Sequence, residues 1–210
     1  VHSVITCDSP EAKIPWSLSG HGALSQLLDP HCRYEGEEVA AVAAETALQA
    51  ADAARAVVVE YEPRPMVVDY ETATRPDAPK VHDVGNQPSR PRTTARGDVQ
   101  AALASADAVV ERTFHTPCEL HTPLETHGSV AQWDGADLDV WDSTQGVYAV
   151  RDSLAQALKL PLSSVRVVSH YMGGGFGSKL ELGKYTVIAA VLARITGRAV
   201  KCVLTREESL

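Results

Sequence analysis

"SSVRVVSHYMGGGFGSKLELGKYTVIAAVLARITG", residues 163–197, is the stretch on which the fold turns. Residues 163–172 are β-branched and apolar enough to read as a strand. Residues 182–197 are apolar at helical spacing and close on Gly197, a helix stop. Between them lie four glycines and Phe176, followed by Ser178 and Lys179. Strand, glycine turn and helix place residues 173–179 at a sheet edge beside a helix N-terminus, where amides can approach a planar or anionic group. Phe176 offers such a group a rigid apolar face. A tight turn with a buried phenyl ring reads equally well from the loop alone.

A nucleotide phosphate fits this loop poorly. The P-loop pattern needs four residues between its glycines and a hydroxyl after its lysine. Here Gly173 and Gly177 are separated by three residues, Ser178 precedes Lys179, and Leu180 stands where the hydroxyl belongs. A dinucleotide fingerprint begun at Gly173 would end on Ser178 instead of glycine.

Outward from the loop, "SVAQWDGADLDVWDST" (129–144) is a hairpin signature, with alternating strands on either side of Asp134-Gly135. "VYAVRDSLAQALKL" (147–160) reads as a helix ended by Pro161, and "AVKCVLT" (199–205) as a last strand. Asp98 can cap a short helix through Ala104, and "AVVERTFHT" (108–116) reads as a strand. Nearer the start, "EEVAAVAAE" (37–45) holds a strand. Thr46 caps a helix whose alanines at 47, 50, 51, 53 and 54 suit close packing. That helix feeds the β-branched run ending at residue 62. Residues 72–97 carry Pro76, Pro79, Pro88 and Pro91 and little periodicity, which marks a connection between modules.

The 210 residues are 44% hydrophobic and 22% charged with a net charge of −8. This composition fits a folded chain and argues against a general binder of nucleic acid or anionic membranes. No apolar run reaches the roughly 18 residues of a membrane span. Cysteines 7, 32, 118 and 202 are widely spaced and suit free thiols in a reducing compartment, so a cytoplasmic location is expected, with the periplasm as the alternative. The chain opens on "VHSVITC", a strand under way, and closes on "VLTREESL", where Thr205 starts a helix. These ends lead us to expect a fragment.

Four motifs occur in order: "HTPLETHGSVAQW" (121–133), "STQG" (143–146), "GGGFGSK" (173–179) and "TGRAVKCVLTREE" (196–208). Together they closely resemble the molybdenum-binding subunit of the xanthine dehydrogenase and aldehyde oxidase family of molybdenum hydroxylases. "YEGEEVAAVAAETALQAADAARAVVVEYEPRPMVVDYETA" (34–73) resembles the α/β hammerhead module that precedes the molybdenum domain there. The resemblance implies an α+β chain: a hammerhead module at 1–75, a linker at 76–96, and the first part of a molybdopterin-binding α/β domain at 97–210.

It also implies residue roles. Gln145 matches the glutamine whose amide donates to an oxo ligand of molybdenum. Gly175, Phe176 and Gly177 match residues lying against the cofactor, with the phenyl ring also orienting substrate. Leu180 stands where purine-hydroxylating members carry a glutamate; an apolar side chain supplies no acceptor, which turns expectation toward aldehydes or less polar N-heteroaromatics. Glu125 and His127 belong to the family-like "PLETH" segment, and Lys179 is expected to pair on the surface or with a helix end. His115, His121 and His127 recur every six residues, a spacing that fits no zinc pattern. The pterin holds the metal in this family, so no protein metal ligand is expected.

The implied activity is hydroxylation with water as oxygen source. Its cofactor is a molybdenum–pterin, either molybdopterin or its cytosine dinucleotide. The implied partners are a small-molecule substrate, the remaining molybdenum-domain polypeptide, and 2Fe-2S and FAD domains or subunits. The general-base glutamate of the family lies beyond this chain, which is expected to be inactive alone. Two other readings stand beside this one: a non-catalytic fragment or scaffold lacking cofactor, and a nucleotide-binding glycine-loop protein.

Overall fold

The computed structural model describes residues 1–17, 24–87 and 92–209, so residues 88–91 of the expected linker lie outside the described residues. The chain divides into two compact units, one formed by residues 1–65 and 121–210, the other by residues 66–120.

In the first unit, strand β1 (Ser3–Thr6) pairs antiparallel with β4 (Ala40–Ala43), and between them β2 (Pro15–Trp16) pairs with β3 (Ser25–Gln26). Helix α1 (Ala47–Arg55) follows, its first turn closed by Thr46, whose hydroxyl accepts from the Gln49 amide at 3.3 Å. Thr46→Ala should therefore cost about 1 kcal/mol in chemical denaturation, the ordinary worth of a threonine N-cap. The expected strand after α1 does not form: residues 57–62 are irregular, and Val58 is 87% exposed. Strand preference expresses fit to a pleated, half-buried surface, and no described strand offers one here.

The second unit holds α2 (Tyr70–Ala73), capped by Asp69, and α3 (Val99–Ala104), capped by Asp98 as the sequence leads one to expect. None of its described residues is fully buried. The strand expected at 108–116 is absent for the same reason, with Val110 and Phe114 open to solvent.

The remaining elements complete the first unit. Strands β5 (Gly128–Asp134) and β6 (Asp137–Asp142) form the expected hairpin, with the positive φ on the first of its two loop residues, Gly135. Helix α4 (Val147–Leu158) then crosses to β7 (Val165–Val168), which lies parallel to β6. Helix α5 (Lys184–Thr196) leads to β8 (Val200–Val203), antiparallel to β5 on its other side. The sheet order is therefore β7-β6-β5-β8.

Alternation along the strands sends Ala131, Leu138, Val140, Val165 and Val167 to one face, where α4 and α5 cover them. Helix α5 also touches β1 and β4. That sandwich explains why Lys184 through Ala193 are all buried and why the helix is apolar on every side. Gly197 ends it in the left-handed conformation, φ +64°.

Candidate functional site

Sheet topology decides which residues meet. Strands β6 and β7 run parallel and β5 runs against both, as does β8 against β5. The start of β5 thus shares one end of the sheet with the ends of β6, β7 and β8. Those are the points from which residues 121–127, 143–146, 169–183 and 204–208 emerge. The four motifs, far apart in sequence, converge there. Backbone bonds join them: Glu125 N–H to Gly173 O at 3.2 Å, Gln145 N–H to Lys179 O at 2.8 Å, and Leu204 N–H to His127 O at 2.8 Å. Arg206 donates to the carbonyls of Pro123 and Leu124 at 2.6 and 2.9 Å.

At the centre is Lys179, and it corrects the sequence expectation of a surface pair. Only 1% of the residue is exposed. Its ammonium has three hydrogens and three acceptors: Glu125 O at 2.9 Å, Glu125 Oε2 at 3.0 Å and Ser143 Oγ at 2.8 Å. Glu125 Oε2 also accepts from Ser143 Oγ at 2.5 Å and from the Gly173 amide at 2.8 Å. Burial acts to raise the Glu125 pKa. The bonds from Ser143, the Gly173 amide and Lys179 outweigh it and hold the carboxyl below its usual range.

The Lys179 backbone binds the segment before α4. Its carbonyl accepts from Thr144 Oγ1 at 2.9 Å, and its amide points to Gln145 Oε1 at 3.4 Å. The Gly177 amide donates to the same oxygen at 2.8 Å. Backbone N–H groups can only donate, so the oxygen of the Gln145 carboxamide must face the loop. Its Nε2 is left as a donor without an acceptor among the described residues. Glycine is required nearby: a Cβ on Gly175 would overlap the Gln145 side chain, and one on Gly173 would stand 2.6 Å from Glu125 Cβ.

Phe176 is 73% exposed and holds φ +53°, a left-handed conformation that is uncommon for a bulky residue. The alternative reading of a turn with a buried phenyl ring is therefore incorrect. Leu180 is half exposed. Its carbonyl lies 2.7 Å from where a Cβ on Gly146 would stand, so Gly146 lets the loop close on α4. The helix start that adjoins the loop is accordingly that of α4, reached through Gln145 and Gly146. Residues 180–183 separate the loop from α5.

His127 sits just before β5 with Nε2 3.2 Å from Ser178 O, so Nε2 carries the proton. Burial is the main cause of its lowered pKa. His115 is exposed, and no group of three metal-ligating side chains occurs among the described residues. Sequence reasoning missed the roles of Lys179, Ser143 and Arg206. The only available signal was a lysine sitting between glycines and leucines.

Residues 81–210 match the family model described as "Molybdopterin cofactor-binding domain", and residues 1–65 match "Aldehyde oxidase and xanthine dehydrogenase, a/b hammerhead domain". The chain belongs to the aldehyde oxidase and xanthine dehydrogenase family. Among similar family members, the xanthine dehydrogenase molybdenum-binding subunit of Escherichia coli O157:H7 is 34% identical, over 93% of this chain and 27% of its own length. The aldehyde oxidoreductase molybdenum-binding subunit PaoC of Escherichia coli K12 is 37% identical, over 84% of this chain and 23% of its own.

Quinoline 2-oxidoreductase from Pseudomonas putida 86 superposes with a TM-score of 0.84 at 31% identity, covering 99% of this chain and 28% of that one. CO dehydrogenase from Oligotropha carboxidovorans gives 0.85 at 29% identity, again over 99% and 28%. The chain thus spans about a quarter of the length of the family members it matches. No described helix is long and apolar enough to cross a membrane.

Proposed function

We propose that this chain builds one wall of a molybdenum–pterin site in a hydroxylase that oxidises an aldehyde or N-heteroaromatic substrate with water as the oxygen source. The observation that carries this is Gln145: a neutral carboxamide, fixed through its oxygen by two loop amides, with its Nε2–H₂ group left to donate. A neutral donor can orient an oxo ligand at any working pH. When bound, the cofactor would supply the two-electron redox centre.

The chain's own residues hold and orient. Gln145, Gly175 and Gly177 form the cofactor side of the wall. Phe176, exposed on a constrained backbone, presents an apolar face to substrate. Leu180 supplies no hydrogen-bond acceptor from its side chain, which favours aldehydes and less polar heterocycles over purines. The general base, the rest of the pterin grip, and the 2Fe-2S and FAD centres belong to other segments or subunits. The working organisation is hammerhead module 1–75, linker 76–96 and the first part of the cofactor domain at 97–210, in a cytoplasmic assembly.

Metal and pterin analysis of the protein from its native host tests this. Near-stoichiometric molybdenum is expected, and Gln145→Ala should keep the metal while losing roughly 10- to 100-fold in turnover. A wild-type protein with its partners in place but without molybdenum or pterin would overturn the reading.

A further inference from the structure

We propose that Lys179 is the positioning residue of the site: its buried ammonium ties Glu125 to Ser143 and thereby sets where the glycine-loop amides and the Gln145 carboxamide stand. Its meaning for catalysis rests on the cofactor reading above. Three observations carry the proposal. All three ammonium hydrogens are used, on Glu125 O, Glu125 Oε2 and Ser143 Oγ, so the side chain has one place to be. The carboxylate it holds is the acceptor for the Gly173 amide, which opens the loop. Meanwhile the backbone of Lys179 itself meets Gln145 and Thr144, which close it. One residue thus fixes the loop at both ends.

A lysine kept only for folding would be a poor choice here. Burying an ammonium is costly unless every hydrogen is paired, and an apolar side chain of the same length would fill the space. What an apolar residue cannot do is bond Glu125 and Ser143 together and add to the bonds that lower the Glu125 pKa. Several other titratable groups stand on the surrounding elements. His121 and His127 lie on its own segment, Asp142 ends β6, and His170 and Tyr171 follow β7. Arg206, beyond β8, binds the carbonyls just before it. Among the described residues, Lys179 alone forms an ion pair with Glu125.

The test is the pH profile of amide protection at Gly173, Gly177 and Lys179, read by hydrogen exchange in the protein as purified, for wild type, K179M, E125Q and the double variant. In wild type, protection should hold through neutral and mildly acid pH and fail only as Glu125 protonates below the ordinary carboxylate range. In K179M the midpoint of that loss should move up by about 1 to 3 pH units, because the opposite charge within hydrogen-bond distance is gone. The double variant, in which a carboxamide oxygen accepts from Gly173 at every pH, should show no such midpoint.

A K179M profile that matches wild type, or a uniform drop at every pH, would mean a structural role only and would overturn the proposal. Should K179M fail to fold, E125Q reads the same link: it must abolish the acid-side loss, and a retained loss overturns the proposal. Molybdenum content, measured on the same samples, separates the two readings. A shifted profile in a molybdenum-free wild type sinks the functional reading and keeps the positioning role. An unmoved profile in a molybdenum-loaded protein does the reverse.

Discussion

Gly175→Ala should cut turnover roughly 100-fold while leaving the fold intact. The backbone at Gly175 has no positive φ, so alanine can adopt it; the difficulty is space. A new Cβ would overlap the Gln145 carboxamide, standing 2.6 Å from its Cδ and 2.8 Å from its Cγ. Either Gln145 turns away, releasing the Gly177 and Lys179 amides, or the loop backbone shifts. Lost bonds of this kind cost about 1 kcal/mol each, so the protein should still fold, with unfolding stability lowered by about 2 kcal/mol. Turnover should fall roughly 100-fold, the usual consequence of displacing a positioning group by an ångström, with molybdenum retained as expected for Gln145→Ala.

Gly177→Ala makes the informative control. There the space is open, the nearest atom being His121 Nε2 at 3.5 Å, but φ is +105°. That variant should cost about 1 to 3 kcal/mol in backbone strain without crowding Gln145. Wild-type turnover in Gly175→Ala would show that Gln145 is not held as described.

Asp142→Asn should raise stability at neutral pH and flatten its pH dependence. Asp142 ends β6 facing α5, is 5% exposed, and accepts from Thr186 Oγ1 at 2.6 Å. Its other oxygen is buried without a partner among the described residues. Burial raises its pKa from 3.8 to about 6, against opposing contributions from the Thr186 hydrogen bond and the Lys179 charge. Between those values the folded protein binds more protons than the unfolded one, so stability falls as pH rises. The contribution is complete below pH 3.8 and gone above about 6.

A rise of that size corresponds to about 3 kcal/mol. Asparagine can still accept from Thr186 and does not ionise. In denaturation, the stability of Asp142→Asn relative to wild type should therefore rise by about 2 to 3 kcal/mol between pH 4 and pH 7.5. A constant offset between variant and wild type from pH 4 to 8 would rule out the titration of Asp142 as the cause.

The local signals of the chain were legible without coordinates. Thr46 and Asp98 cap the helices they precede, Gly135 turns the hairpin, and Gly197 ends α5, because each depends on a few neighbouring residues. The four ordered motifs also identified the family, and through it pointed to Gln145 and the glycine loop, which the structure joins by hydrogen bonds. Residues 57–62 and 108–116 misled, since β-branched runs report a preference for a sheet surface and say nothing about whether one is offered. Only the tertiary structure showed that the strand ends bring the motifs together, and that Lys179 is buried and fully bonded. A lysine's charge is visible in the sequence. Its burial depends on Glu125 and Ser143, 54 and 36 residues away, which supply enough acceptors to replace water.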